Sequence, residues 1–184
     1  MARAFAEIAF TPSVRAAQAR YGSAKAGERF LSDETDSRDT LSENEASFIQ
    51  ARDGFYLGTV SEDGWPYVQF RGGPAGFLRV LDGKTVAWAD FRGNRQYLSA
   101  GNLGANYRVS LFLMDYPNRR RLKLWGRAQI VDASENPSLA KARFPEGYKA
   151  IPERVVSVTI AAYDWNCPQH IPQRLTAEEW AAVG

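Results

Sequence analysis

The spacing of apolar residues changes at Phe55, where helical spacing gives way to the alternation of β-strands. This alternation predicts strands over 55–61, 66–71, 77–81, 84–90, 108–115, 122–132 and 154–162. Asp63-Gly64 and Asp82-Gly83 separate the first two strand pairs, and such dipeptides favour tight hairpin turns. Six or seven antiparallel strands with few helices predict a mainly β fold, a barrel or a sandwich, and a barrel would leave no strand edge open.

Helices are predicted on both sides of the strand region and between strands. They cover 11–21, 42–52, 94–103, 137–144 and 176–183. Ser42 with Glu45, and Thr176 with Glu179, form the capping-box pattern, in which each side chain bonds the backbone N–H of the other residue. Residues 22–41 are polar and contain two glycines, so a loop is predicted there.

The composition is that of a folded, soluble protein with little charge bias. Apolar residues make up 45% of the 184 residues, and the formal net charge of +2 is too small to imply a nucleic-acid partner by itself. No apolar run approaches the roughly 18 residues that a membrane span needs, and residues 1–20 lack the apolar core of a signal peptide. We expect a cytoplasmic protein in which an N-terminal helical and loop extension, residues 1–41, precedes one domain, residues 42–184.

The chain has one cysteine, Cys167, and one histidine, His170. A single cysteine allows no intramolecular disulfide and fits a reducing compartment. One thiol and one imidazole are too few for zinc sites that need several such ligands, so no metal is expected. A cysteine nucleophile would also need a base and an orienting group that the sequence does not identify.

Two segments that contain arginine are candidates for holding an anion. The first is the end of strand 66–71, which reads Arg71-Gly72-Gly73-Pro74. A guanidinium there stands beside two residues without side chains, so a ligand can approach the backbone closely while the arginine supplies positive charge.

The second segment, 90–95, lies just before a predicted helix. Arg92, Arg95 and the free N–H groups of that helix start form a plausible phosphate-binding corner. Asp90 and Asn94 can bond hydroxyl or amide groups nearby, although a solvated turn with a helix cap explains both residues equally well.

A third segment places Trp125 in the middle of a basic strand face. The basic positions are Arg119, Arg121, Lys123 and Arg127, and the positions between them are largely apolar. Such a face could bind single-stranded nucleic acid, form an ordinary exposed strand, or add an edge to an anionic aromatic cofactor. Nucleic-acid binding ranks low because it usually needs more net positive charge and more exposed aromatic residues.

The order of these segments resembles the pyridoxamine-5′-phosphate-oxidase-like proteins over about residues 45–175. The resemblance is carried by Arg71-Gly72-Gly73-Pro74, the segment 90–95, the strand 106–113, Trp125-Gly126-Arg127-Ala128, and an ending, 164–171, that is similar to one uncharacterised branch. It implies a six-stranded antiparallel split β-barrel, a two-fold homodimer, and two molecules of flavin mononucleotide (FMN) at the interface.

The resemblance also implies roles for individual residues. Those expected to hold FMN from one subunit are Arg71, Asn94 and Arg95 at the phosphate, Gln69, Gly72 and Gly73 along the ribityl chain or ring, and Asp90 near the ring or phosphate corner. Those expected to reach the ring from the partner subunit are Trp125, Trp165, Asn166 and Gln169. The arginine and histidine that grip the substrate phosphate in pyridoxamine phosphate oxidases are not clearly kept in the segment 170–174, which argues against vitamin B6 phosphate as the substrate.

The function that follows is an FMN-dependent oxidoreductase with an unknown small-molecule substrate, in which the protein positions the flavin. His170 is the one imidazole that could deliver a proton, and Arg174 could hold an anionic substrate. Alternatives are a flavin-binding redox sensor or carrier without turnover, or the same fold using the deazaflavin F420 or haem. Haem has weak support because His170 is the single imidazole available as an axial ligand.

Overall fold

A seven-stranded antiparallel sheet forms the centre of the protein. The computed structural model describes residues 3–32, 37–145, 147–165 and 168–183. Its strands are β1 (Gly54–Val60), β2 (Pro66–Gly72), β3 (Arg79–Asp82), β4 (Thr85–Phe91), β5 (Arg108–Asp115), β6 (Arg120–Asp132) and β7 (Pro152–Trp165). Their order across the sheet is β2-β1-β5-β6-β7-β4-β3.

The mainly β, antiparallel fold class is confirmed, but the number of strands expected from the family resemblance is wrong. Seven strands are present where six were expected, because the short β3 pairs with β4 at one edge of the sheet. Within the described part of the chain the sheet is open, with β2 and β3 as its edge strands. The hairpin pairings β1–β2, β3–β4 and β5–β6 agree with the predicted turns.

The core packs against one face of the sheet, which we call the inner face. Strand β5 shows the alternation that creates it, because Val109, Leu111 and Leu113 are buried while the residues between them are only partly covered. Phe55 and Trp88 are fully buried and meet edge to face with ring centroids 5.1 Å apart. Burial of each such side chain contributes about 1.5–3 kcal/mol, so this core fixes the sheet on which the site residues stand.

Seven helices are described around the sheet: α1 (Ala4–Ala9), α2 (Pro12–Arg20), α3 (Ala24–Ser32), α4 (Glu43–Gln50), α5 (Leu98–Ala105), α6 (Pro137–Arg143) and α7 (Ala177–Val183). Both predicted capping boxes are formed, at the starts of α4 and α7. The predicted helix over 94–103 begins later, at Leu98, because residues 92–97 form the loop that follows β4.

The prediction of a loop over 22–41 is wrong, since α3 lies within it. Gly27 is buried in this helix, and a Cβ atom at that position would come 2.8 Å from Gln18 Oε1 on α2. The glycine therefore permits close approach of α2 and α3 instead of breaking the helix. The sequence pattern did not predict α1 either.

Helix α1 lies on the other face of the sheet, which we call the outer face. The Phe5 ring stacks on Trp125 of β6 with centroids 4.5 Å apart, and Lys123 Nζ lies 4.5 Å from the Phe5 ring centroid. Backbone hydrogen bonds from Arg3 N to the Phe30 carbonyl (3.2 Å) and from Ala4 N to the Ser37 carbonyl (2.8 Å) hold the helix in this place.

Among the residues that the structure describes, no helix is both long and apolar enough to cross a membrane.

Candidate functional site

A polar pocket lies where edge strand β2, the end of β4 and the start of α5 meet. Five of the residues predicted to hold a cofactor line it: Gln69, Arg71, Asp90, Asn94 and Arg95. Other lining residues include Tyr67, Gln96, Tyr97, Ser99, Glu153 and Arg154. Segments that are far apart in the chain thus bring their polar side chains to one place.

Asp90 at the end of β4 organises the inner wall of this pocket. Its side chain is almost fully buried, and Arg154 on β7 donates to its Oδ2 from Nε (3.0 Å) and Nη2 (2.9 Å). Arg71 Nη1 lies 2.8 Å from Asp90 Oδ1, an ion pair without the angle of a hydrogen bond. One carboxylate therefore fixes two guanidinium groups in place.

The two arginines that contact Asp90 differ in whether they keep an N–H group free to bind a ligand. Burial acts to lower the pKa of Arg154, but its hydrogen bonds to Asp90 and the charges of Asp90 and Glu153 raise that pKa above its usual value, so it stays charged. Arg71 is largely buried, and its Nε–H has no acceptor among the described residues. A buried donor without a partner is costly, and a bound anion would satisfy it.

Arg95 supplies a third positive charge from the loop after β4. Its side chain is exposed, and its Nε lies 3.5 Å from the hydroxyl of Tyr97, which donates to Glu153 Oε1 (3.3 Å). Both Arg95 (φ 63°) and Tyr97 (φ 56°) have left-handed backbone conformations. Such conformations cost roughly 1–3 kcal/mol and cluster at ligand sites. The pocket lining carries more positive than negative charge, with three arginines against Asp90 and Glu153.

The first turn of α5 faces the same pocket. Leu98, Ser99 and Ala100 line it, and their backbone N–H groups have no acceptor within the described parts of the chain. Tyr97, at the cap position, provides no side-chain hydrogen bond to the helix. The Ser99 hydroxyl is buried and donates to Gln69 Oε1 (3.1 Å), which ties the helix to β2. Free N–H groups at the positive end of a helix favour anion binding.

Gly72 and Gly73, predicted to follow the cofactor, do not line this pocket. Gly72 ends β2, and the backbone N–H of Gly73 donates to the Asp53 carbonyl (2.9 Å). A Cβ on Gly73 would lie 2.7 Å from the Phe77 ring. Both glycines therefore accommodate neighbouring rings, since a Cβ on Gly72 would also come 2.9 Å from Phe70.

Trp165 is held by contacts within its own subunit and lines a separate surface pocket together with Asn44, Asn118 and Pro168. Its indole N–H donates to Glu45 Oε1 (2.8 Å), its ring meets Phe48 edge to face at 4.7 Å, and the Arg120 guanidinium lies 4.5 Å from its ring centroid. These contacts connect the end of β7 to α4.

The remaining predicted residues lie after β7. Gln169 and His170 are exposed, and His170 has a left-handed backbone (φ 64°). The Arg174 guanidinium stacks 4.9 Å from the Tyr116 ring centroid. None of the three lines the polar pocket. Asn166 and Cys167 lie outside the described residues.

Trp125 lines a second cavity, on the outer face of the sheet, which we call the apolar cleft. Its volume is about 540 Å³. Its lining includes Ile8 of α1, Val60, Pro66 and Val68 of the β1–β2 hairpin, and Arg108, Ser110 and Arg127. The Trp125 indole N–H donates to Ser110 Oγ (3.2 Å). Tyr67 lines both cavities, so the polar pocket and the apolar cleft adjoin at β2.

Arg154, Tyr97 and Ser99 are site residues that sequence reasoning missed. Arg154 stands opposite Asp90 in the β4–β7 register, and a buried acid opposite a basic residue would have signalled the pair once that pairing was known. Ser99 and Tyr97 looked like ordinary positions of a helix start. Within the described residues, no group of His, Cys, Asp and Glu side chains could hold a metal ion.

The sequence matches one family model, described as pyridoxamine 5'-phosphate oxidase, over residues 41–167. No curated protein matches the sequence significantly.

Solved structures share the fold at low sequence identity. HupZ from Group A Streptococcus superposes with a TM-score of 0.56 at 16% identity, over 73% of this chain and 99% of that chain. A Lactobacillus delbrueckii protein assigned as a pyridoxamine 5'-phosphate oxidase gives 0.53 at 20%, over 68% and 94% of the two chains. An FMN-binding protein from Syntrophomonas wolfei gives 0.51 at 14%, over 66% and 83%.

Proposed function

The chain belongs to the pyridoxamine 5'-phosphate oxidase family, and from this premise we propose that it binds FMN and acts as an FMN-dependent oxidoreductase on a small molecule. Bound FMN would supply the redox chemistry, and the protein would bind and orient it. Vitamin B6 phosphate is not proposed as the substrate.

The observation that carries the proposal is the convergence of β2, the loop after β4 and the first turn of α5 on one polar pocket. A phosphate dianion needs positive charge and several N–H donors. Arg71 offers a buried N–H without an acceptor, Arg95 an exposed guanidinium, and α5 three free backbone N–H groups. This donor set fits the phosphate end of FMN.

In this proposal Asp90 does not contact the cofactor directly. Both of its oxygens are already engaged by Arg71 and Arg154, so it positions the guanidinium groups. Asn94 accepts from the Gln96 backbone N–H (3.1 Å), and its Nδ2 donates to Gln96 Oε1 (3.2 Å), so it shapes the loop beside the proposed phosphate. Gln69, fixed by Ser99, would contact the ribityl chain.

We further propose that FMN lies between two copies of the chain, with Trp125 of the partner subunit next to the flavin ring. The apolar side chains exposed on the outer face beyond the apolar cleft support this arrangement, since Tyr56 is 39% exposed and Phe70 57% exposed. Contiguous exposed apolar surface commonly marks a protein interface. Gln169, His170 and Arg174 do not line the polar pocket of their own subunit, so they would contribute through the same assembly, His170 as a proton donor and Arg174 as a contact for an anionic substrate. Asn166 is proposed to accompany them.

The direct test is the visible spectrum of the purified protein before and after addition of FMN. We expect flavin absorbance that reaches about one FMN per chain, because one polar pocket is formed by each chain. A colourless protein that takes up no added FMN would contradict the proposal. A haem or deazaflavin spectrum in the protein as isolated would mean that the protein binds that cofactor in place of FMN.

Turnover is tested separately on the loaded protein. As an oxidoreductase it should show reduction of the bound flavin by a reduced nicotinamide donor, followed by reoxidation of the reduced flavin when dissolved oxygen is admitted to the assay. Binding of FMN without reduction by any donor would leave a redox sensor or carrier as the function.

A further inference from the structure

The apolar cleft on the outer face carries an unusual charge pattern. Its lining, as far as the chain is described, contains no acidic residue, and its charged members are Arg108 and Arg127. These two arginines stand directly opposite each other in the β5–β6 register, on the same face as Trp125. Like charges placed directly opposite on neighbouring strands are destabilising, so the pair has a cost in the fold.

Neither arginine is neutralised by a neighbour. Both side chains are exposed, and neither forms an ion pair with any residue that the structure describes. Arg71 and Arg154 in the polar pocket, by contrast, are both paired with Asp90. Positive charge beside the apolar cleft is therefore available to a ligand.

Helix α1 closes one side of the apolar cleft. Ile8 lines it, and Phe5 stacks on Trp125, which restricts the position of the indole. The family match begins at residue 41, so this wall comes from a segment outside the matched part of the chain. Flat apolar surface from Trp125, Val68 and Ile8 suits an aromatic ring, which gains from stacking and burial.

We propose that the apolar cleft binds an organic anion with an aromatic body, its ring against Trp125 and Ile8 and its carboxylate, sulfonate or phosphate between Arg108 and Arg127. The charge complementarity of two unpaired guanidinium groups favours this occupant over a neutral lipid. The cleft shares Trp125 with the proposed contact to the partner subunit's flavin ring, so its occupancy is tested on the chain without flavin. Its use as the substrate site rests on the proposed function, because the cleft adjoins the polar pocket at Tyr67.

The test compares two fluorescent probes that share a ring system and differ in charge. 8-Anilinonaphthalene-1-sulfonate carries a sulfonate, and N-phenyl-1-naphthylamine is neutral. The full chain without flavin should bind both. Arg108→Gln/Arg127→Gln should weaken binding of the sulfonate by about tenfold or more and leave the neutral probe within twofold, since the loss of even one charge-assisted contact costs about tenfold.

Two further variants complete the design. Arg20→Gln/Arg29→Gln removes the same charge from exposed positions on α2 and α3 and should bind both probes like the wild type. Ile8→Trp places a larger side chain at the cleft wall and should weaken both probes. Thermal unfolding should show that Arg108→Gln/Arg127→Gln is at least as stable as the wild type, because the opposed charges are gone.

Several results would overturn the inference. Equal sulfonate binding by the wild type and Arg108→Gln/Arg127→Gln would do so, as would unchanged binding of both probes to Ile8→Trp. Exclusion of both probes wherever sedimentation shows a dimer would mean that a second copy covers the cleft. FMN uptake is scored separately: if it fails while the probes behave as expected, the proposed function is wrong and the inference stands.

Discussion

Replacing Arg71 and Arg95 together by glutamine is expected to weaken FMN binding by about a hundredfold or more. Each arginine would lose a charge-assisted contact with the phosphate, worth about 1.5–3 kcal/mol. Asp90 keeps its two hydrogen bonds from Arg154, so the buried carboxylate retains a partner and the fold should persist. The measurement is a flavin fluorescence titration with FMN and, in parallel, with riboflavin, which lacks the phosphate.

The comparison with riboflavin shows whether the lost binding free energy came from contacts with the phosphate. Riboflavin should bind Arg71→Gln/Arg95→Gln as it binds the wild type, and Arg20→Gln/Arg29→Gln, with the same net charge, should bind FMN normally. If FMN affinity stays within twofold of the wild type, the phosphate lies elsewhere. An equal loss for both ligands would mean that the arginines act on the ring or on the fold.

Replacing Glu45 by glutamine is expected to lower the free energy of unfolding at pH 7 by roughly 3 kcal/mol. Burial of this carboxylate acts to raise its pKa, but hydrogen bonds from Ser42, Trp165 and Asn44 outweigh burial and lower the pKa to about 2. Relative to its ordinary value of 4.5, that shift corresponds to about 3 kcal/mol of stabilisation by the ionised form. The matched control is Glu43→Gln, an exposed acid in the same helical turn.

The sign of the pH dependence follows from the lowered pKa. The stabilisation by Glu45 is fully present above pH 4.5 and is lost as the pH falls through about 2, where the folded protein also takes up the proton. In urea unfolding between pH 7 and 2, the difference between wild type and Glu45→Gln should therefore shrink as the pH falls. A difference that stays constant across this range would show that the effect comes from packing and not from charge.

Elements that depend on neighbouring residues could be predicted from the sequence. The capping box of Ser42 and Glu45 and the hairpin turns at Asp63-Gly64 and Asp82-Gly83 each use groups within a few positions of one another. Local patterns gave a wrong prediction for 22–41. Gly27 lies inside α3 because the helix packs closely against Gln18 of α2, and the sequence around Gly27 does not reveal that contact.

The polar pocket could be predicted only in part. Each arginine segment looked like a possible anion site alone, and the family resemblance placed them together. Arg154 escaped prediction because its partner, Asp90, lies 64 residues away and the β4–β7 pairing is not visible in the chain. The role of Trp165 at the flavin ring of the partner subunit stays a prediction. The hydrogen bond from its indole to Glu45, 120 residues away, follows from no local sequence pattern.

The two cavities divide the expected chemistry between the faces of the sheet. Alternation along β2 turns Gln69 and Arg71 toward the polar pocket, while Val68 lines the apolar cleft on the outer face. One edge strand thus contributes to a proposed phosphate site and to a proposed ring or substrate site. The polar pocket lies within the residues that the family model matches, and α1 adds a wall to the apolar cleft from outside that region.

A crystal structure of the protein grown with FMN is the most direct test of the proposed FMN site. It should place the phosphate within hydrogen-bonding distance of Arg71 Nε, Arg95 and the backbone N–H groups at the start of α5, with Trp125 of a second copy beside the flavin ring. A phosphate bound at any other position, or Arg71 still without an acceptor in the flavin complex, would contradict it.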